Sequence, residues 1–150
     1  MRVYLVIMDE TEEAGMALRF AARRAARTGG QVHLLALVPR QPFVAFGGIQ
    51  ATIEEEARAR AEALVTTAAG SMLSEGGTMP AIAVKTGHGE QVIREYLAEH
   101  PEVSALVLGA ASGGGPGPLV SHFTNVSGQL PCPLYVIPGS LSEDALERLS

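Results

Sequence analysis

The chain has 150 residues, of which 47% are hydrophobic and 18% charged, and its net charge is −5. That is enough apolar material for one domain with a true core, which excludes a disordered chain. Eleven basic residues against sixteen acidic ones, with Lys85 the sole lysine, leave no basic field for a nucleic-acid backbone. The single cysteine, Cys132, excludes an internal disulfide framework and a cysteine-cluster metal site.

The first apolar run, β1 (Val3–Met8), is short, continuous and rich in β-branched residues, as a strand buried on both faces should be. It stops at Asp9, too soon for a signal peptide, and no run reaches the ~20 apolar residues of a membrane span. A cytoplasmic protein is expected. Residues 11–27 form α1: Leu18, Ala21, Ala22 and Ala25 make an apolar stripe. Arg19, Arg23 and Arg27 make a second stripe, expected to be solvated. Gly29 and Gly30 stop the helix. β2 (Gln31–Val38) follows, and then a proline- and glycine-rich loop, 39–49, carrying Phe43 and Phe46. That pair either closes over a ligand or partner, or packs back on the domain edge.

A second helix, α2, is marked from Ile53 to Ala68, and Gly76-Gly77 ends it. Residues 81–84 are β3. Gly87-His88-Gly89 turns into α3, with Val92, Ile93, Tyr96 and Leu97 on its apolar face. Residues 104–108 are β4. A glycine-rich stretch, 109–117, leads to a weaker helix α4 at about 119–129. The last strand, β5, opens at Pro133 and ends at Ile137. The tail, 141–150, holds one short helix capped by Ser142. The alternation implies a single α/β domain over 1–150 with an open parallel sheet and right-handed crossovers, helices on both faces, and no repeat.

Ligands of such sheets sit beyond the carboxyl ends of the strands, at the switch in strand order. Asp9 follows β1 there, and the stretch from Gly109 through Ser112 and Gly113 follows β4, with Ser121 and His122 close behind. If β1 and β4 are neighbours, bare glycine amides and a helix N-terminus can cradle a phosphate without lysine. Asp9 can accept from ribose hydroxyls or hold Mg²⁺. Each residue also has a structural reading. Asp9 can cap α1 in a box with Glu12, and Ser121 can cap α4. His122 can be an exposed loop histidine and His88 a turn residue, His33 can be packed or surface-facing, and Cys132 can be a passive small residue. The four histidines have no zinc spacing, and no catalytic constellation stands out.

Over about residues 1–138 the sequence resembles the universal stress protein family. The likeness is carried by VIMDET at the end of β1, ALRFAARRAARTGG, QVHLLALV, GHGEQVI, and ALVLG followed by a glycine loop and LPCPLYVIP. The resemblance implies strand order 3-2-1-4-5. It also implies ATP or another adenine nucleotide at the β1/β4 crevice, with Asp9, Gly109 and Ser121 matching the family's site and Leu37 facing the adenine edge. It further implies a homodimer through the apolar edge strand 133–137. Two departures stand out. Ser112 and Val120 replace the second and third glycines of the family motif, and the spacer between them has seven residues instead of nine. The expectation is a small stress-response regulator holding ATP or AMP, with Mg²⁺, and at most slow incidental hydrolysis. The alternative is a nucleotide-free dimeric interaction module with a degenerate glycine loop.

Overall fold

A computed structural model describes residues 1–40 and 47–150, with the side chains of residues 47–52 left aside. Phe43 and Phe46 lie outside the described residues. The elements run β1 (Val3–Met8), α1 (Glu12–Thr28), β2 (Gln31–Val38), α2 (Gly47–Ser74), β3 (Ala81–Thr86) and α3 (Gly89–Glu99). They continue with β4 (Ala105–Ala110), α4 (Pro118–Asn125), a 3₁₀ turn at Ser127–Gln129, β5 (Leu134–Pro138) and α5 (Glu143–Leu149). All five strands are parallel, in the order β3-β2-β1-β4-β5.

The period-two alternation of β1 divides the core between the two faces of the sheet. Tyr4, Val6 and Met8 pack toward α1 and α2, against Ala17, Ala21, Val65 and Met72. Val3, Leu5 and Ile7 pack toward α3 and α4, against Ile93, Leu97, Val120 and Phe123. All six β1 residues are buried, as a continuous apolar run between two helical layers requires. Side chains such as Leu5, Phe123 and Ile93 are fully enclosed, each stabilising the fold by about 1.5–3 kcal/mol.

Four local expectations need correction. α1 is capped by Thr11, whose hydroxyl accepts from Ala14 N at 3.2 Å. Asp9 stands one step further out and accepts from the Thr11 amide at 2.9 Å and from its hydroxyl. With Thr11 as cap, the third helical position is Ala14, so no box with Glu12 can close. Ser121 does not cap α4: the helix starts at Pro118 behind Gly117 (φ 98°), since proline is pre-set for a first helical position. α4 also ends at Asn125, before the 3₁₀ turn, rather than running to 129. At the other extreme, α2 begins at Gly47, inside the stretch that the sequence marks as loop.

The arginine stripe lies on the solvent-facing side of α1, as expected, but it also has partners. Arg19 and Arg23 reach Glu143, and Arg27 donates to the backbone carbonyls of Ser150 at 2.8 Å and Glu147 at 3.2 Å. Those bonds dock α5 on α1, with Ser142 capping it by accepting from Ala145 N and Leu146 fully buried beneath it. Cations at the carbonyl end of a helix also suit its dipole.

Candidate functional site

Parallel pairing of β1 with β4 carries Asp9 and Gly109 to the same end of the sheet, at the switch in strand order. A crevice of about 160 Å³ opens between them. Ile7, Leu108 and Gly109 line it from the strands, Asp9, Thr11, Glu13 and Ala14 from the start of α1, and Pro116 to Val120 from the glycine loop and α4.

Gly109 is required by packing. A Cβ there would stand 2.0 Å from the Glu13 carbonyl oxygen, so α1 can approach β4 only over a bare α-carbon. Gly139 is bound by the same close approach, its Cβ position 2.8 Å from Ala110 O and 2.9 Å from Glu13 Cβ. Beyond Gly109 the loop is closed by Ala111 N donating to Pro116 O at 3.2 Å, and Gly114, Gly115 and Gly117 take positive φ. The first bonded amide of α4 is Ser121, which donates to Gly117 O at 3.0 Å. Pro118 has no donor, and the Leu119 and Val120 amides, in the first turn, have no acceptor within the helix. They stand at the rim of the crevice with the positive end of the helix dipole. Opposite them is the exposed Asp9 carboxylate. Its Oδ1 is engaged by Thr11, while Oδ2 accepts no hydrogen bond among the described residues.

The structure gathers some of the predicted residues and separates others. Asp9 and Gly109 share the crevice. Ser112 and Gly113 sit on the exposed part of the loop, and Ser121 is exposed in α4; none of the three lines the crevice. Leu37 lies across β1. The register of β2 with β1 ends at Ala36, so Leu37 continues beyond the last β1 pair while still paired with Lys85 of β3. His122 turns to α3, with Nδ1 3.3 Å from Glu90 Oε2 and Nε2 3.0 Å from an Arg94 guanidinium nitrogen. Val120, which replaces a family glycine, is buried in the α3/α4 core at the edge of the crevice.

A second hollow, of about 620 Å³, lies at the ends of β2 and β3, lined by Arg40, Thr86, His88, Gly89 and Glu95 among others. A third, of about 400 Å³, sits at the opposite end of the sheet between the last turns of α1 and α2. Both helices turn their carbonyl ends toward that hollow, which disfavours an anion.

Two polar features elude sequence reasoning. One is the Glu90–His122–Arg94 cluster. The other is a buried group on the α3 side: His33 Nδ1 lies 2.8 Å from the Tyr96 hydroxyl, and His100 stacks on the Tyr96 ring at 3.8 Å. Burial holds the His33 pKa below the ordinary histidine value despite Glu102 nearby, with His100 adding to the lowering. Burial also raises Tyr96, with Glu102 adding to the effect. The Cys132 thiol is likewise pushed up by burial, which opposes thiolate formation. Among the described residues, no group of three or more His, Cys, Asp or Glu side chains could hold a metal ion, and no helix is long and apolar enough to cross a membrane.

A parallel 3-2-1-4-5 sheet with its crevice at the β1/β4 switch defines the class: an open α/β domain with a cleft at its strand ends. The model of the universal stress protein family matches residues 1–138, and the chain belongs to that family. Its fold is similar to that of a universal stress protein from Lactobacillus plantarum, at 21% identity and a TM-score of 0.77, over 91% of this chain and 97% of that one. It is similar to an Arabidopsis thaliana family protein solved with AMP bound, at 15% identity and a TM-score of 0.59, over 96% and 94%. It is also similar to an Archaeoglobus fulgidus universal stress protein solved in complex with dAMP, at 17% identity and a TM-score of 0.53, over 91% and 97%. No curated protein sequence matches the chain. α5 lies beyond the segment that the family model matches.

Proposed function

We propose that the protein is a regulator that binds an adenine nucleotide, ATP or AMP, at the carboxyl ends of β1, β4 and β2, without turning it over as an enzyme. The observation that carries this reading is the shared crevice of the Asp9 carboxylate and the unbonded Leu119 and Val120 amides. A carboxylate suits ribose hydroxyls, and helix-end amides suit a phosphate. The glycine loop from Gly109 through Ser112 and Gly113 adds backbone donors, and the exposed Ser121 hydroxyl adds one more. The backbone of Leu37, beyond the last β1 pair, is the position for the adenine edge. His122 is left out of the contact set because Glu90 and Arg94 engage both its ring nitrogens. A Mg²⁺ ion accompanying the nucleotide would take Asp9 Oδ2 and phosphate oxygens, a hard all-oxygen set. Two relatives of the same fold carry AMP and dAMP, which is why an adenine base heads the reading.

Calorimetric titration with AMP and ATP, with and without Mg²⁺, tests it. Binding is expected, and Asp9→Ala should weaken it about tenfold, the loss of one charged hydrogen bond. No heat at millimolar nucleotide would overturn the reading in favour of a nucleotide-free module.

The same reading includes a cytoplasmic homodimer through the outer edge of 133–137, where no strand among the described residues pairs and Val136 is exposed. Light scattering should return twice the chain mass at micromolar concentration, and a monomer would exclude the dimer. A change of partner on nucleotide binding is the signal it would transmit.

A further inference from the structure

The β1/β4 crevice, at about 160 Å³, is smaller than the roughly 300 Å³ at which pockets for small organic ligands begin. The hollow beyond β2 and β3, at about 620 Å³, is large enough but lies away from Asp9 and the glycine loop. What lies between them is specific. A Cβ placed on Gly89, the first residue of α3, would stand 3.1 Å from Leu37 Cδ1 and 3.4 Å from Leu119 Cδ2. Two leucine side chains, one from β2 and one from α4, therefore converge over a bare α-carbon. The next residue on α3 is Glu90, and one turn beyond Leu119 is His122. Their contact, with Arg94 on the other ring nitrogen, ties α3 to α4 beside the leucines.

We propose that Leu37 and Leu119 form an apolar gate over Gly89 that divides one nucleotide-sized cleft into two hollows, and that the Glu90–His122–Arg94 cluster holds it shut. This inference rests on the nucleotide reading above and assigns that site the element that controls entry of the base. Leu119 and Leu37 are both only half-buried, so each has room to change rotamer without opening the core. Parting them joins the Asp9 crevice to the space over Leu37. A purine lying there would cover the apolar side chains it parts, so apolar area stays out of water. A phosphate ligand without a base gains nothing from the opening. The gate thus acts on a ligand that carries a flat apolar group beside the anion, and leaves the phosphate end of the site alone.

The experiment is AMP titration of the wild-type protein, Leu119→Ala and His122→Ala, with ribose 5-phosphate as the baseless control. Leu119→Ala keeps the Leu119 amide and removes half the gate. AMP should bind it about tenfold more tightly, while ribose 5-phosphate affinity should move by less than twofold. His122→Ala should shift AMP binding the same way, by a smaller factor. Leu37→Ala, with its backbone intact, serves as the second truncation should Leu119→Ala lose its fold by circular dichroism. AMP binding by the wild type that is unchanged or weakened in Leu119→Ala would overturn the gate and leave the nucleotide reading standing. Weaker binding by His122→Ala would make His122 a ligand contact and overturn its clamping role. Absence of AMP binding by the wild type and both truncations would overturn the nucleotide reading and the gate with it. Binding by the truncations alone would support the gate in its strongest form.

Discussion

The two ends of the glycine-rich stretch obey different constraints. At Gly109 there is no space: a Cβ would meet the Glu13 carbonyl at 2.0 Å, and neither β4 nor the first turn of α1 can yield. At Gly113 to Gly117 there is nothing but space, and at three of these positions glycine serves a positive φ instead. The first glycine seats α1 against the sheet and so sets where Asp9 stands. The later ones shape a loop whose amides are free to meet a ligand. Residues of one type in one loop thus belong partly to the core and partly to the site.

Substitutions separate the two roles. Gly109→Ala should cost about 3 kcal/mol, because the clash is with backbone, and should lower the Tm by roughly 6–12 °C. An unchanged Tm would mean that α1 does not bear on β4. Away from the loop, Leu146→Ala should cost about 2 kcal/mol in urea denaturation by undocking α5 from the arginines of α1. A smaller effect is expected from pH. His33 is held below the ordinary histidine value, near 6.5, so it is neutral in both states above that pH. As pH falls below it, the unfolded chain takes a proton that the native state refuses, and stability declines until the native His33 titrates as well. Denaturation at pH 7.5 and 5.5 should show the drop, and His33→Gln should shrink it. Gly113→Ala should have the least effect, under about 0.5 kcal/mol, since its Cβ would point into open space at ordinary φ.

The fold was largely legible because β1 and β4 are continuous apolar runs and α1 and α3 each carry an apolar stripe of period 3.6. β1 and β2 match their sequence bounds, and the strand order agrees with the order that the resemblance implied. Local signals misled where two residues compete for one job. Asp9 and Thr11 are both good caps, and only the extended backbone at Thr11 decides between them. Spacing places Arg19, Arg23 and Arg27 on one face but says nothing of what docks there, since Glu143 and Ser150 are more than a hundred residues away. The crevice was half legible. Asp9 and Gly109 meet as strand adjacency requires, whereas His122 turns to Glu90 and Arg94, a pairing between α3 and α4 that no periodicity encodes.

The central claim is that one end of this sheet, and not the other, receives an adenine nucleotide. Titrating AMP into isotope-labelled protein and following backbone amide resonances tests it most directly. The account predicts saturable shifts at Asp9, Leu37, the loop around Ser112 to Gly117, Leu119 and Val120, with little change at Gly29, Gly30 and Gly76. Shifts confined to the opposite end, or none at millimolar AMP, would contradict it.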